Sequence, residues 1–248
     1  VVRLLLARKE IQINQATKGG ATPLSTSCSH GHVDVVRLLL ARKEIQSINQ
    51  AEENGATPLY TTCQFGHVDV VRLLLARKEI QINQAKKNGY TPLLIACQRG
   101  RVDVMRVLLA RKEIQINQAS DDGTTPLHEA CYNGRVDAVK LLLAKQEIQI
   151  NQAKKERGET PLYIACRKGH VDVVQLLLNR KEIQINQAKK NGATPLLIAC
   201  LYGRVDVMRV LLARKEIQIN QASDDGTTPL YEACYNGRVD AVKLLLAK

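Results

Sequence analysis

The chain has 248 residues, a net charge of +12, seven cysteines and eight aromatic side chains, seven Tyr and one Phe. No stretch approaches the roughly 18 unbroken apolar residues of a membrane-spanning helix, so a helical membrane span is excluded. Short apolar runs, such as Val107 to Ala110, belong to the recurring helices. A chain of this length ordinarily makes one or two domains, but no linker or shift in composition divides it.

In chain order, Val1 to Arg8 repeats the sequence of Val35 to Arg42 and reads as the end of a recurring helix, not as a signal peptide. All seven prolines, Pro23, Pro58, Pro92, Pro126, Pro161, Pro195 and Pro229, then follow at spacings of 34 or 35 residues. That period predicts stacked units of a solenoid, not one globular core. A partial unit at 1–16 precedes units at about 17–51, 52–85, 86–119, 120–153, 154–188, 189–222 and an incomplete 223–248, read as one continuous array.

Each unit opens with Thr-Pro, a helix start in which the hydroxyl caps the first turn and proline occupies a position where its missing N–H costs nothing. In the copy Thr125 to Gly134, Leu127, Ala130 and Cys131 fall at i, i+3 and i+4 on one face of a short helix. Gly134 ends that helix in a left-handed conformation. A second helix is expected from about Val136. Val139, Leu142 and Leu143 form its apolar face and Ala138 and Leu141 broaden it, so it must be covered from two sides.

The alternating segment Ile148 to Ala153 then predicts extended chain, followed by a tight reversal that ends in Asn-Gly or Asp-Gly in five of the seven units. Single-residue insertions, Ser47 and one within 154–157, account for the two longer spacings and fall in connections.

The recurring pattern G-x-T-P-L-x-x-A-C-x-x-G-[HR]-V-D-x-V resembles the ankyrin repeat, whose core reads T-P-L-H-x-A-A-x-x-G-H, over essentially the whole chain. The resemblance implies an all-α ankyrin-repeat solenoid with short β-hairpin loops, acting as a non-enzymatic scaffold for a protein partner at an intracellular, cytoplasmic location. There are departures. Only His128 keeps the family's His; Ser25, Tyr60, Leu94, Tyr163, Leu197 and Tyr231 replace it elsewhere, which puts that side chain's hydrogen bond in doubt. Cys replaces the family's second Ala throughout. The link after the second helix, as in Ala110 to Asn117, lacks the usual Gly, which predicts a different helix end.

The cysteines Cys28, Cys63, Cys97, Cys131, Cys166, Cys200 and Cys234 each stand five residues after a motif proline, one structural position in successive layers. Layers about 8 to 10 Å apart exceed the reach of a disulfide, so these are expected to be buried thiols packing as small hydrophobes. Cys28, His30 and His32 crowd together, but their spacing matches no zinc pattern. There is no phosphate loop, nucleophile elbow, metalloprotease helix or EF-hand loop, so no catalytic residue, metal or cofactor is assigned. The recurring Asp34, Asp69, Asp103, Asp137, Asp172, Asp206 and Asp240 lie where a carboxylate meets a helix N-terminus favourably.

Cations near the ends of the second helices, such as Arg72, Arg77 and Lys78 or Arg106, Arg111 and Lys112, predict a basic ridge, each followed by Glu79 or Glu113. The reading preferred is a solvated face. Binding of nucleic acid or an acidic surface competes with it but lacks interleaved aromatics.

The aromatics lie elsewhere: Tyr60, Phe65, Tyr90, Tyr132, Tyr163, Tyr202, Tyr231 and Tyr235 all fall on the reversal or the first helix. In the family resembled, residues flanking the hairpin Gly and the two before the helix-ending Gly form a concave recognition surface. By position that surface includes Phe65, Tyr90, Gln98, Arg99, Tyr132, Asn133, Arg167, Lys168, Leu201, Tyr202, Tyr235 and Asn236, and aromatic and Arg side chains are the usual anchors of interfaces. Lys78 to Lys145 and Lys181 to Lys248 align at an offset of 103 and differ only at Tyr90/Ala193, Gln98/Leu201, Arg99/Tyr202 and His128/Tyr231. Three of the four differences are at the candidate face, as selection for binding or drift on an exposed surface would leave them. The alternative function is structural: Leu4 to Leu6 and Leu244 to Leu246 stand at uncapped ends, implying either a window on a longer array or end-to-end stacking into a filament.

Overall fold

A computed structural model describes residues 11–248; the expectations for Leu4 to Leu6 and for most of the partial unit 1–16 lie outside them. The described residues form fourteen α-helices in seven pairs and no strand. First helices run Pro23–Ser29, Pro58–Phe65, Pro92–Arg99, Pro126–Tyr132, Pro161–Lys168, Pro195–Leu201 and Pro229–Tyr235. Second helices run Val33–Leu40, Val68–Leu75, Val102–Leu109, Val136–Leu143, Val171–Leu178, Val205–Leu212 and Val239–Leu246. The helices belong to two compact units, one ending at Asp121 and one beginning at Asp122. Within each, every first helix packs on its own second helix and on the next first helix, and second helices stack likewise. Among the described residues no helix is long and apolar enough to cross a membrane.

The local causes repeat. Thr22, Thr57, Thr91, Thr125, Thr160, Thr194 and Thr228 sit in extended backbone, and each hydroxyl accepts the N–H of the residue three places on. Each hydroxyl thus satisfies one of the helix's orphan donors. Apolar faces then meet as their spacing requires: Leu127, Ala130 and Cys131 pack with Ala138, Val139, Leu142 and Leu143, all buried, while Leu141 is half-buried. A buried leucine contributes about 1.5 to 3 kcal/mol.

The helix-ending glycine has two reasons to be glycine. Gly66 caps its helix at φ 87°, a left-handed conformation disfavoured for side chains. A Cβ there would also lie 2.9 Å from Cδ of Arg101, and one on Gly31 would lie 2.5 Å from Nδ1 of His67. The His or Arg that follows the motif glycine leans over the glycine of the preceding repeat to reach the end of its first helix. His67 donates to the Ser29 carbonyl (3.0 Å), Arg101 to Gln64 (3.1 Å), His170 to Tyr132 (3.1 Å) and Arg204 to Arg167 (3.1 Å).

Second helices end without glycine, in right-handed backbone at Ala41, Ala76, Ala110 and their equivalents. Their orphan carbonyls are met from the next repeat: Arg77 donates to the Leu40 carbonyl at 2.8 Å, and Arg180 to that of Leu143.

Two expectations are corrected. The segment predicted to be extended, Ile148 to Ala153, is folded into turns, with Gln152 N–H donating to the Gln149 carbonyl (3.3 Å). The β-hairpin loops reduce to closed turns without a ladder, as where Lys86 N–H donates to the Tyr90 carbonyl (2.9 Å). The physical reason is Asn151, whose side-chain amide stands in for a strand edge. Its Nδ2 donates to the Glu182 carbonyl (2.7 Å) and its Oδ1 accepts the Gln184 N–H (3.0 Å). Asn14, Asn49, Asn83 and Asn186 do the same to the repeats that follow them. The second correction is Cys234, which is exposed while the other six thiols are buried: a first helix of the following repeat lies against the helices of Cys28, Cys63, Cys131, Cys166 and Cys200, and among the described residues none lies against Pro229–Tyr235. None of the seven forms a disulfide among the described residues.

Candidate partner-binding face

Phe65, Gln98, Arg99, Tyr132, Arg167, Lys168, Leu201 and Tyr235 occupy the last turns of first helices. Asn133, Tyr202 and Asn236 are the capping residues that follow, and Tyr90 comes directly after Gly89 in the tight turn. None of the twelve is buried. Phe65, Tyr132 and Tyr202 are 47, 43 and 46% exposed and Tyr235 77%. Tyr60 and Tyr163, by contrast, are core residues, because the position after Thr-Pro-Leu faces the neighbouring repeat.

Several candidate side chains already hold one another. Lys168 places its ammonium 3.9 Å from the centre of the Tyr132 ring, and through hydrogen bonding and charge lowers the phenol's pKa below its usual value. Asn133 donates to the Glu129 carbonyl and carboxylate (2.9 and 3.1 Å), and Asn236 repeats this with Glu232. Arg167 donates to Oε1 of Glu159 at 2.6 Å. Sequence reasoning missed Glu159, although a signal was present. The position before Thr-Pro-Leu is otherwise Ala21, Ala56, Tyr90, Thr124, Ala193 or Thr227, and only here a buried carboxylate. Beside this pair, Asp122, Lys154, Glu156 and Arg157 complete the lining of an open cleft of about 250 Å³.

His128 keeps the hydrogen bonding that was in doubt. Its Nε2 donates to the Glu159 carbonyl (3.0 Å), leaving Nδ1 to accept from Thr125 (2.7 Å from the hydroxyl, 3.2 Å from the N–H). Burial pushes its pKa down to about 4. Cys28 is buried while His30 and His32 stack on each other at the surface, and no group of three His, Cys, Asp or Glu among the described residues is placed to hold a metal.

Six overlapping stretches, 1–86, 43–120, 78–154, 113–189, 147–223 and 184–248, match a family model described as ankyrin repeats, three copies. The chain belongs to the ankyrin-repeat family. No curated protein sequence matches significantly. Among solved structures, the crystal structure of the human ASB11 ankyrin repeat domain is similar at 26% identity, over 92% of this chain and 97% of that one, with a TM-score of 0.76. Ankyrin repeats generally mediate protein–protein interaction.

In this ankyrin-repeat chain part of the basic ridge of the second helices is paired within the ridge itself. Arg42, Arg77, Arg111 and Arg180 each pair with the glutamate two residues on, at 2.7 to 3.4 Å. Of these, Arg77 and Arg180 also supply the carbonyl caps at Leu40 and Leu143, so they serve the stack.

Proposed function

We propose that the chain is a non-enzymatic, intracellular scaffold whose repeats form one continuous array and bind a protein partner on the face built from the tight turns and first-helix ends, concave in this family. The observation that carries this reading is the placement of four large aromatic side chains at exposed positions by the helix-ending glycine, Phe65 and Tyr202 directly before it and Tyr132 and Tyr235 two residues before it. The differences between the duplicated blocks at Gln98 and Arg99 support it, since neither these residues nor their counterparts Leu201 and Tyr202 are buried, whereas Tyr90/Ala193 and His128/Tyr231 each have a buried member. Capture of a partner, its purification and titration against alanine variants of the four aromatics test the reading. Each substitution should weaken binding by about 1 to 3 kcal/mol while leaving the fold intact. Binding indifferent to all four would overturn it.

The second reading, end-to-end stacking, rests on the apolar face of the last helix pair, where Val239 and Leu246 are 62 and 71% exposed. A further repeat in a longer chain would cover that same face. A mass that rises with concentration, and stops rising when a polar capping repeat is fused, distinguishes stacking from binding.

A further inference from the structure

The tight turns between repeats carry a charge code. Their charged residues run Lys18, then Glu52 and Glu53, Lys86 and Lys87, Asp121 and Asp122, Lys154, Lys155, Glu156 and Arg157, Lys189 and Lys190, Asp224 and Asp225. Neighbouring turns touch through their backbones, so these charges are neighbours in space. Glu53 N–H donates to Gly19, Lys87 to Asn54, Asp121 to Asn88, Lys155 to Asp122, Lys190 to Arg157 and Asp224 to Asn191, at 3.0 to 3.4 Å. At five of these six junctions a cationic turn meets an anionic one, and Lys154 and Asp122 close an ion pair at 3.4 Å. The junction between turns 154–158 and 189–192 is different. There Lys155, Arg157 and Lys190 are exposed on two adjoining cationic turns and form no ion pair among the described residues. Glu159 is committed to Arg167, and Lys189 reaches towards the Tyr163 ring (5.9 Å), which leaves Glu156 alone against the excess.

Like charges held side by side raise the energy of the free chain and favour an anionic ligand. We propose that turns 154–158 and 189–192 form a docking strip for an acidic segment of the protein partner; this rests on the partner-binding reading and names the chemistry its partner must present. Two features select a protein segment over a uniform polyanion. The strip is short: two repeats, each about 10 Å deep, together span about 20 Å, or about six residues of extended chain at roughly 3.3 Å each. It is also bounded by Asp122 on one side and Asp224 and Asp225 on the other, which repel a phosphate backbone running past both ends. The adjoining cleft offers a single small anion little, because its lining is balanced between Asp122, Glu156 and Glu159 and Lys154, Arg157 and Arg167.

The test uses the whole chain and a fluorescent peptide of about six glutamates with neutral flanks, matched to that strip length, titrated by anisotropy at low salt. A single-stranded DNA long enough to overrun the strip serves as the competing polyanion. One variant reverses the strip (Lys155→Glu, Arg157→Glu, Lys190→Glu). A second applies the same change of net charge to the second-helix ridge (Lys78→Glu, Lys112→Glu, Lys215→Glu), with circular dichroism confirming that both fold. The strip variant should bind the peptide at least about tenfold more weakly and the ridge variant within about twofold of the parent. No binding by the parent chain, equal losses in both variants, or DNA bound as tightly and with the same sensitivity would each overturn the proposal. If a captured partner depends on the four aromatics but is indifferent to strip reversal, this inference fails and the face stands. Dependence on the strip without dependence on the aromatics reverses that outcome.

Discussion

Replacing Arg167 with alanine separates a residue that holds the fold from one that holds a partner, two roles that coincide at this position. Glu159 is 5% exposed and Arg167 23%, with 2.6 Å between Oε1 and Nη1. Removing the arginine leaves a carboxylate in the interior, a change that costs about 3 to 5 kcal/mol where the site is sealed. The open cleft of about 250 Å³ beside it admits water, and Lys154 shares that cleft. Arg167→Ala is therefore expected to destabilise by about 2 to 3 kcal/mol. Glu159→Ala installs the residue that the chain uses at Ala21, Ala56 and Ala193 and frees Arg167 to turn to solvent, so it should cost less than about 1 kcal/mol. The double variant should resemble Glu159→Ala alone, a coupling of about 2 kcal/mol. Because repeat arrays unfold with limited cooperativity, urea melts by circular dichroism should be paired with hydrogen exchange at the amides of 160–168. Arg167→Ala within about 0.5 kcal/mol of the parent, or equal costs for the two single variants, would refute the reasoning. A partner lost on Arg167→Ala but kept by the double variant was lost through local unfolding and not through contact.

Other outcomes follow from the same geometry. His128 has a folded pKa of about 4 against about 6.5 unfolded, so its stabilisation is complete above pH 6.5 and disappears as pH falls through that window to about 4, about 3 kcal/mol in all. His128→Tyr, the residue present at Tyr231, should remove that slope; an unchanged pH profile would show that His128 is not its source. In the native chain a thiol reagent should label Cys234 quickly and the six buried cysteines slowly, with burial holding the thiols of Cys28 and Cys200 up at about 12; two or more fast thiols would contradict the burial pattern. Asn186→Ala breaks the bonds to Glu216 and Gln218 (2.7 and 2.9 Å) at an exposed joint where water can replace them, and should cost about 1 to 2 kcal/mol; a neutral result in urea melts would reduce the asparagine bridge to a by-product of packing.

The sequence by itself determined the repeat, its phase and both helices of every unit, because those depend on neighbours a few residues apart. Thr125 caps an amide three residues on, Pro126 restricts its own backbone, and Leu127, Ala130 and Cys131 share a face through helical spacing alone. That the candidate residues are not buried follows from the same periodicity, while their reading as a recognition face rests on the family resemblance. Only the tertiary structure decided what the repeated polar residues do, because their partners lie in the next unit, some 30 to 38 residues away. The motif Asn read as part of an alternating strand, yet its amide takes over the strand's role across the joint and leaves its own backbone turned. The His or Arg after the motif glycine had no role assigned from the sequence, yet it closes over the glycine of the preceding repeat. Arg167 read as a free groove cation, and its buried partner Glu159 emerged only when the turn folded back against its helix. Local spacing shows which way a side chain faces; what it meets is set by the stacking of one repeat on another.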